Sequence, residues 1–139
     1  MGIEYRETKE VDLDQLVALI GTAGWIRGDD RARLARQVSG ALWVVSAWDG
    51  ARLVGFARAV SDGVAFAYLA DVYVHESARG AGLGTALVRS MIEDGPGRDF
   101  RWVLFTQDAH GLYERFGFSA PDETAMVRPA VSREGPRGA

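Results

Sequence analysis

Apolar residues along this chain recur at two periods, and the switches between them mark out its elements. Residues 3–6 alternate over a short stretch and read as an edge strand. Asp12 opens a helix: it stands at the N-cap, Gln15 follows three residues on, and Leu13, Leu16, Val17 and Ile20 share one face. Gly21 and Gly24 stop it. A second helix is predicted over 29–38, with Leu34 and Val38 inward and Arg31, Arg33 and Arg36 outward. After Gly40 the period falls. Residues 42–48 and 52–60 are rich in β-branched and aromatic side chains, and the Asp49-Gly50 pair between them is a two-residue hairpin signal. Ser61-Asp62-Gly63 turns the chain into 64–74, the longest strand candidate. Leu83, Leu87 and Met91, with Val88 and Ile92, give the next helix, which Asp94-Gly95-Pro96-Gly97 ends. A compact strand over 100–106, a short helix over 109–115 and a final strand over 124–128 complete the order β-α-α-β-β-β-α-β-α-β. The class is α/β (α+β), a mixed sheet flanked by helices.

Composition narrows the chemistry. The 139 residues suit one domain, with 47% hydrophobic and 25% charged residues. We expect a single domain over 1–128 and a flexible tail over 129–139, where Pro, Gly, Arg and Ser dominate. No run approaches the roughly 18 apolar residues of a membrane span, and no basic lead-in to an apolar segment follows Met1. The expectation is a cytoplasmic protein with no membrane partner. Cysteine is absent, which excludes disulfides, thiolate metal sites and a cysteine nucleophile. With only His75 and His110, no metal site is expected. Sixteen basic residues, all arginine save Lys9, stand against 19 acidic ones for a net charge of −3, which argues against a nucleic-acid partner.

The most informative segment joins the long strand to the helix that begins near Leu83. Here Gly80, Gly82 and Gly84 alternate with Ala81 and Leu83, and Arg79 precedes them. Glycines free the backbone to turn tightly. The first helical amides have no intrahelical partners and carry the positive end of the helix dipole, so a phosphate group suits them. Arg79 adds a full charge beside the same spot. The spacing is GxGxG, so the dinucleotide GxGxxG fingerprint is not met, and no lysine is present to complete a nucleotide P-loop.

Arg79-Gly80-Ala81-Gly82-Leu83-Gly84, after a strand ending Val72-Tyr73-Val74, resembles the signature of the GNAT superfamily of N-acetyltransferases. A second stretch, Ala109-His110-Gly111-Leu112-Tyr113-Glu114-Arg115-Phe116-Gly117-Phe118, is similar to the family's A-x-x-L-Y-x-x-x-G-F segment. The resemblance spans residues 3–128 and implies the family's fold, a mixed, mostly antiparallel central sheet flanked by helices. It also implies acetyl-coenzyme A as acyl donor, a small-molecule or peptide amine as acceptor, and a homodimer.

The resemblance places the cofactor's pyrophosphate on Arg79, Gly80, Ala81, Gly82, Leu83, Gly84 and Thr85, and its pantetheine arm along Val72, Tyr73 and Val74. A backbone N–H near Val72 would stabilise the oxyanion. Thr106 stands on the opposite side of the implied gap, where many relatives carry asparagine. Tyr113 matches the family tyrosine that protonates the leaving thiolate; the other reading is a core aromatic beside Phe116 and Phe118. Relatives often place a glutamate before the V-x-V; here Ala70 is found, and Asp71 is the only nearby carboxylate. A carboxylate in so apolar a run needs a partner or a water channel, so Asp71 is either a structural anchor or a base acting through water. His110 is an acceptor-site candidate or an exposed first-turn residue, with Asp108 as the helix cap. His75 follows the strand and is expected to be exposed. Trp25 walls an acceptor site or packs as a lid. The absence of a cysteine and of a GxSxG serine favours direct attack in a ternary complex. The alternative is a non-catalytic acyl-coenzyme A-binding sensor or regulatory domain.

Overall fold

The structure, a computed structural model, describes residues 2–22 and 30–131. In chain order it contains β1 (Ile3–Arg6), α1 (Leu13–Gly21), α2 (Asp30–Gly40), β2 (Trp43–Asp49), β3 (Arg52–Ser61), β4 (Phe66–Val74), α3 (Leu83–Ile92), β5 (Arg101–Val103) and α4 (His110–Glu114). One 3-10 turn, Glu76–Ala78, lies between β4 and α3. The chain forms two compact units, Met1–Leu104 and Phe105–Ala139. The first holds the sheet with α1, α2 and α3; the second holds α4. No helix among the described residues is long and apolar enough to cross a membrane.

The sheet runs β1-β2-β3-β4-β5, antiparallel at every junction except the parallel β4–β5 pair. Its two faces carry different helices. Phe56, Val44 and Trp48 on one face pack with Leu16, Leu19 and Ile20 of α1 and Leu34 and Val38 of α2. The other face receives α3, which buries Leu83, Leu87, Val88, Met91 and Ile92. Full burial of each such aliphatic side chain stabilises the fold by about 1.5–3 kcal/mol. At Gly55 a Cβ would lie 3.1 Å from both Ala47 Cβ and Leu87 Cδ1, so α3 rides directly on the β3 backbone there.

Local signals place α1 as expected. The Asp12 carboxylate accepts from the amides of Asp14 and Gln15 at 3.0 and 3.2 Å, and the Gln15 amide chiefly holds its carboxyl below the usual range. Gln15 itself reaches beyond the cap. Its Nε2 donates to Ala51 O at 3.0 Å, and its Oε1 accepts from Leu53 N at 2.9 Å, tying α1 to the β2–β3 hairpin.

Several boundaries differ from the sequence expectation. β4 starts at Phe66 because the Asp62 carboxylate accepts from the amides of Val64, Ala65 and Phe66, which prolongs the turn. β5 stops at Val103 rather than reaching Thr106. Residues 124–128 form no strand: the Asp122 carboxylate accepts from both the amide and the hydroxyl of Thr124 and closes a turn. Met126 and Val127 beyond it are 93% and 66% exposed. The apolar residues there, Ala125, Met126 and Val127, are consecutive rather than alternating and cannot cover one sheet face, so local turn chemistry prevails. Asp108 does not cap α4; instead Thr106 Oγ1 accepts from the Ala109 amide at 3.1 Å.

Candidate active site

The geometry of β4 follows from its two neighbours. Toward β3 it is paired along its length, from Ala67 opposite Ser61 to Val74 opposite Gly55. Toward β5 it is paired only from Phe66 to Tyr68. From Leu69 onward that edge has no strand partner among the described residues. The His75 amide donates to Val54 O at 2.8 Å. Antiparallel alternation therefore turns the backbone groups of Tyr73 and Asp71 toward β3, and those of Val72 and Val74 toward the open edge. A register shift opposite Arg58 and Ala59 leaves Ala70 as the extra residue, the kind of bulge that re-aims a strand beside a site.

The glycine turn lies just beyond this edge. Gly80 and Gly82 adopt φ of +84° and +80°, a left-handed conformation that L side chains resist. Gly82 is the N-cap of α3 and supplies no side-chain bond. The first helical bond runs from Ala86 N to Gly82 O at 3.0 Å, leaving the amides of Leu83, Gly84 and Thr85 without intrahelical partners. A Cβ built on Gly80 or Gly82 meets nothing within 4 Å, so space lies over the turn. Gly84 has an ordinary helical backbone. Arg79 and Ala81 are exposed. Arg79 Nε donates to Val74 O at 3.3 Å, and the guanidinium thus lies against the open edge.

Asp71 is not a lone carboxylate. Arg58 Nε donates to its Oδ2 at 2.5 Å, and both side chains are 11% exposed. Tyr73 Oη donates to its Oδ1 at 3.4 Å. Register places Arg58 opposite Asp71 and Phe56 opposite Tyr73, so all four side chains lie on the face that carries α1 and α2. Burial pushes the Tyr73 phenol well up, and the Asp71 charge adds to it. Tyr68 is raised for the same two reasons, opposed by Arg58.

The sequence singles out Asp71 but misses Arg58. A signal was there: Arg58 is the one charge inside the apolar run from Leu53 to Val60, as Asp71 is inside the run from Phe66 to Val74. Two isolated opposite charges in neighbouring apolar strands predict each other, because neither can be buried alone. His75 departs from expectation as well. It is half-buried and caps the 3-10 turn, its Nδ1 accepting from the Ser77 amide at 3.1 Å.

Tyr113, Thr106 and His110 belong to the second unit. Tyr113 is buried, with its ring edge-on to Phe118 at a centroid distance of 6.0 Å. Burial raises its phenol, and the Asp108 charge adds to the shift. His110 is exposed in the first turn of α4. Trp25 lies outside the described residues. Among those described, no group of three or more His, Cys, Asp or Glu is placed to hold a metal ion.

An uncapped, glycine-led helix start lies beside an open strand edge, and comparison with known proteins gives the family. The model of the acetyltransferase (GNAT) family matches residues 10–118, and the chain belongs to that family. It is 39% identical over 121 residues to GCN5-related N-acetyltransferase 1, chloroplastic, of Arabidopsis thaliana, covering 84% of this chain and 61% of that one. Serotonin N-acetyltransferase 2, chloroplastic, of Oryza sativa subsp. japonica is 29% identical over 119 residues, covering 82% of this chain and 60% of that one. The chain thus spans about three fifths of the length of these curated relatives. A crystal structure described as belonging to the GNAT family, from Xanthomonas campestris pv. campestris, superposes with a TM-score of 0.82 at 30% identity, covering 94% of both chains.

Proposed function

We propose that this protein transfers the acetyl group of acetyl-coenzyme A to an amine by direct attack in a ternary complex. One observation carries the reading: the open edge of β4 at Val72 and Val74 runs straight into the two left-handed glycines and the unpaired amides of α3. An amide-bearing arm suits such an edge, and a diphosphate suits such a helix start. The residues therefore fit the donor.

In this reading the amides from Leu83 to Thr85, with Gly80, Ala81, Gly82 and the Arg79 guanidinium, hold the diphosphate. The strand backbone from Val72 through Tyr73 to Val74 fixes the arm, and the Val72 N–H stabilises the oxyanion as the amine lone pair adds to the thioester carbonyl. Collapse breaks the C–S bond. The nitrogen gives up its surplus proton to water, and the thiolate takes one proton from the Tyr113 hydroxyl, which recovers it from solvent. The raised Tyr113 phenol supports this role, since it remains protonated at neutral pH and has a proton to give. For Thr106 a donor-site role rests on the family resemblance alone, and His110 stays an exposed helix residue. Asp71 is held through Oδ2 by Arg58, with a long bond from Tyr73 to Oδ1, and is not assigned as the base.

Calorimetry with acetyl-coenzyme A, followed by free-thiol release over a panel of amines, tests the proposal. Binding with turnover of at least one amine is the expected result. Binding without any turnover converts the protein into an acyl-coenzyme A sensor, and absence of binding removes the donor site altogether. As finer points we propose a small-molecule or peptide acceptor and a homodimer. Light scattering against the 15.1 kDa chain mass checks the latter.

A further inference from the structure

The Arg58–Asp71 pair is incompletely matched. A guanidinium carries five N–H donors in a planar fork. Among the described residues only Nε of Arg58 is used, on Asp71 Oδ2 at 2.5 Å. The side chain is 11% exposed, and neither terminal nitrogen is among the buried atoms without a partner, so Nη1 and Nη2 form an open fork that is not sealed from water. A purely structural pair gains most by closing two parallel bonds on the carboxylate, and this pair closes one. Asp71 has spare capacity too. Its Oδ1 accepts only the 3.4 Å bond from Tyr73, beyond the usual range for a good hydrogen bond. One cationic fork and one carboxylate oxygen therefore stand side by side on the α1/α2 face, with no net charge between them.

We propose that this pair recognises the acceptor as an α-amino acid: Asp71 Oδ1 takes a hydrogen bond from the α-amino group, which loses its ammonium proton to water before its lone pair attacks, and the Arg58 Nη fork takes the α-carboxylate. A zwitterion complements a neutral ion pair in sign. A simple amine leaves the fork unmet, and a simple carboxylic acid meets the Asp71 charge. The place is suitable, because Asp71 immediately precedes Val72, whose backbone faces the open edge of β4. The inference rests on the acetyl-transfer reading above and names the substrate class for it.

The test measures thiol release from acetyl-coenzyme A with the standard L-α-amino acids, and with 5-hydroxytryptophan. Each is paired with its decarboxylated amine, serotonin in the last case. For the best pair, kcat/KM favours the amino acid by about tenfold or more, the loss of two charge-assisted bonds. Arg58→Gln brings that ratio close to unity, and Arg58→Lys, which keeps the charge without the fork, falls between. The KM for acetyl-coenzyme A stays within about twofold throughout, which a general loss of folding would not allow. Equal or better use of the amine by the unaltered protein overturns the inference, as does an undiminished ratio in folded Arg58→Gln. If that variant fails to fold, the ratio in the unaltered protein decides alone. Acetyl-coenzyme A binding with turnover of no amino acid sinks this inference and leaves the donor site standing. Failure of acetyl-coenzyme A to bind removes both.

Discussion

Four tyrosines, at positions 5, 68, 73 and 113, show how one side-chain type takes its properties from its surroundings. Desolvation is the first cause of the upward shift at each, and at Tyr68 and Tyr73 the neighbouring Asp71 charge reinforces it. A phenol held above its ordinary value keeps its proton in the folded state after the unfolded chain has lost it. Its contribution to stability is therefore complete below about pH 10 and disappears as pH rises through the folded value. We expect the melting temperature to fall steeply between roughly pH 10 and 12, with Tyr73→Phe flattening that limb; a flat profile over the same interval contradicts the burial described. For Tyr113 the expected effect is kinetic. On the proposed general-acid role, Tyr113→Phe keeps the ring against Phe118 and removes the proton donor, so turnover is expected to drop by about 100-fold or more. Donor affinity, read by calorimetry, should hardly change. Parallel loss of both would make Tyr113 a packing residue.

At the scale of elements, the turn between β4 and α3 is the critical joint. A Cβ at Gly82 meets no atom within 4 Å, yet the backbone there has φ +80°. The cost of Gly82→Ala is thus conformational rather than steric, about 1–2 kcal/mol. Urea denaturation should show it, together with a larger loss of acetyl-coenzyme A affinity as the Leu83 to Thr85 amides shift. Unchanged stability would mean that the left-handed turn is not required. The turn was legible in the chain because glycine spacing is a local signal. The cap at Asp12 and the hairpin at Asp49-Gly50 were legible for the same reason. The end of β5 was not, since a run of apolar residues such as Trp102 to Phe105 looks alike whether or not a partner strand continues beside it.

For the whole molecule, donor binding should stabilise by mass action. At a concentration about 100 times the dissociation constant the gain is about 2.7 kcal/mol, which for a chain of this size raises the melting temperature by roughly 10 °C. Inorganic diphosphate, which occupies only the turn, should give a smaller rise. Equal shifts with both would show that the edge of β4 contributes nothing. The Arg58–Asp71 contact shows the limit of reading a chain locally, since the two residues are 13 positions apart and meet only through the β3–β4 register.

Period and punctuation in the sequence determined most of the helix and strand segments, where α1 starts, how β2 turns into β3, and where the glycine turn before α3 sits. All of these depend on neighbours a few residues away. Tertiary structure alone decided that β4 parts from β5 after Tyr68, that Asp71 takes Arg58 as its partner, and that the stretch after Asp122 closes a turn instead of adding a strand. Those outcomes depend on which distant backbone or charge is within reach, and strand pairing sets that reach.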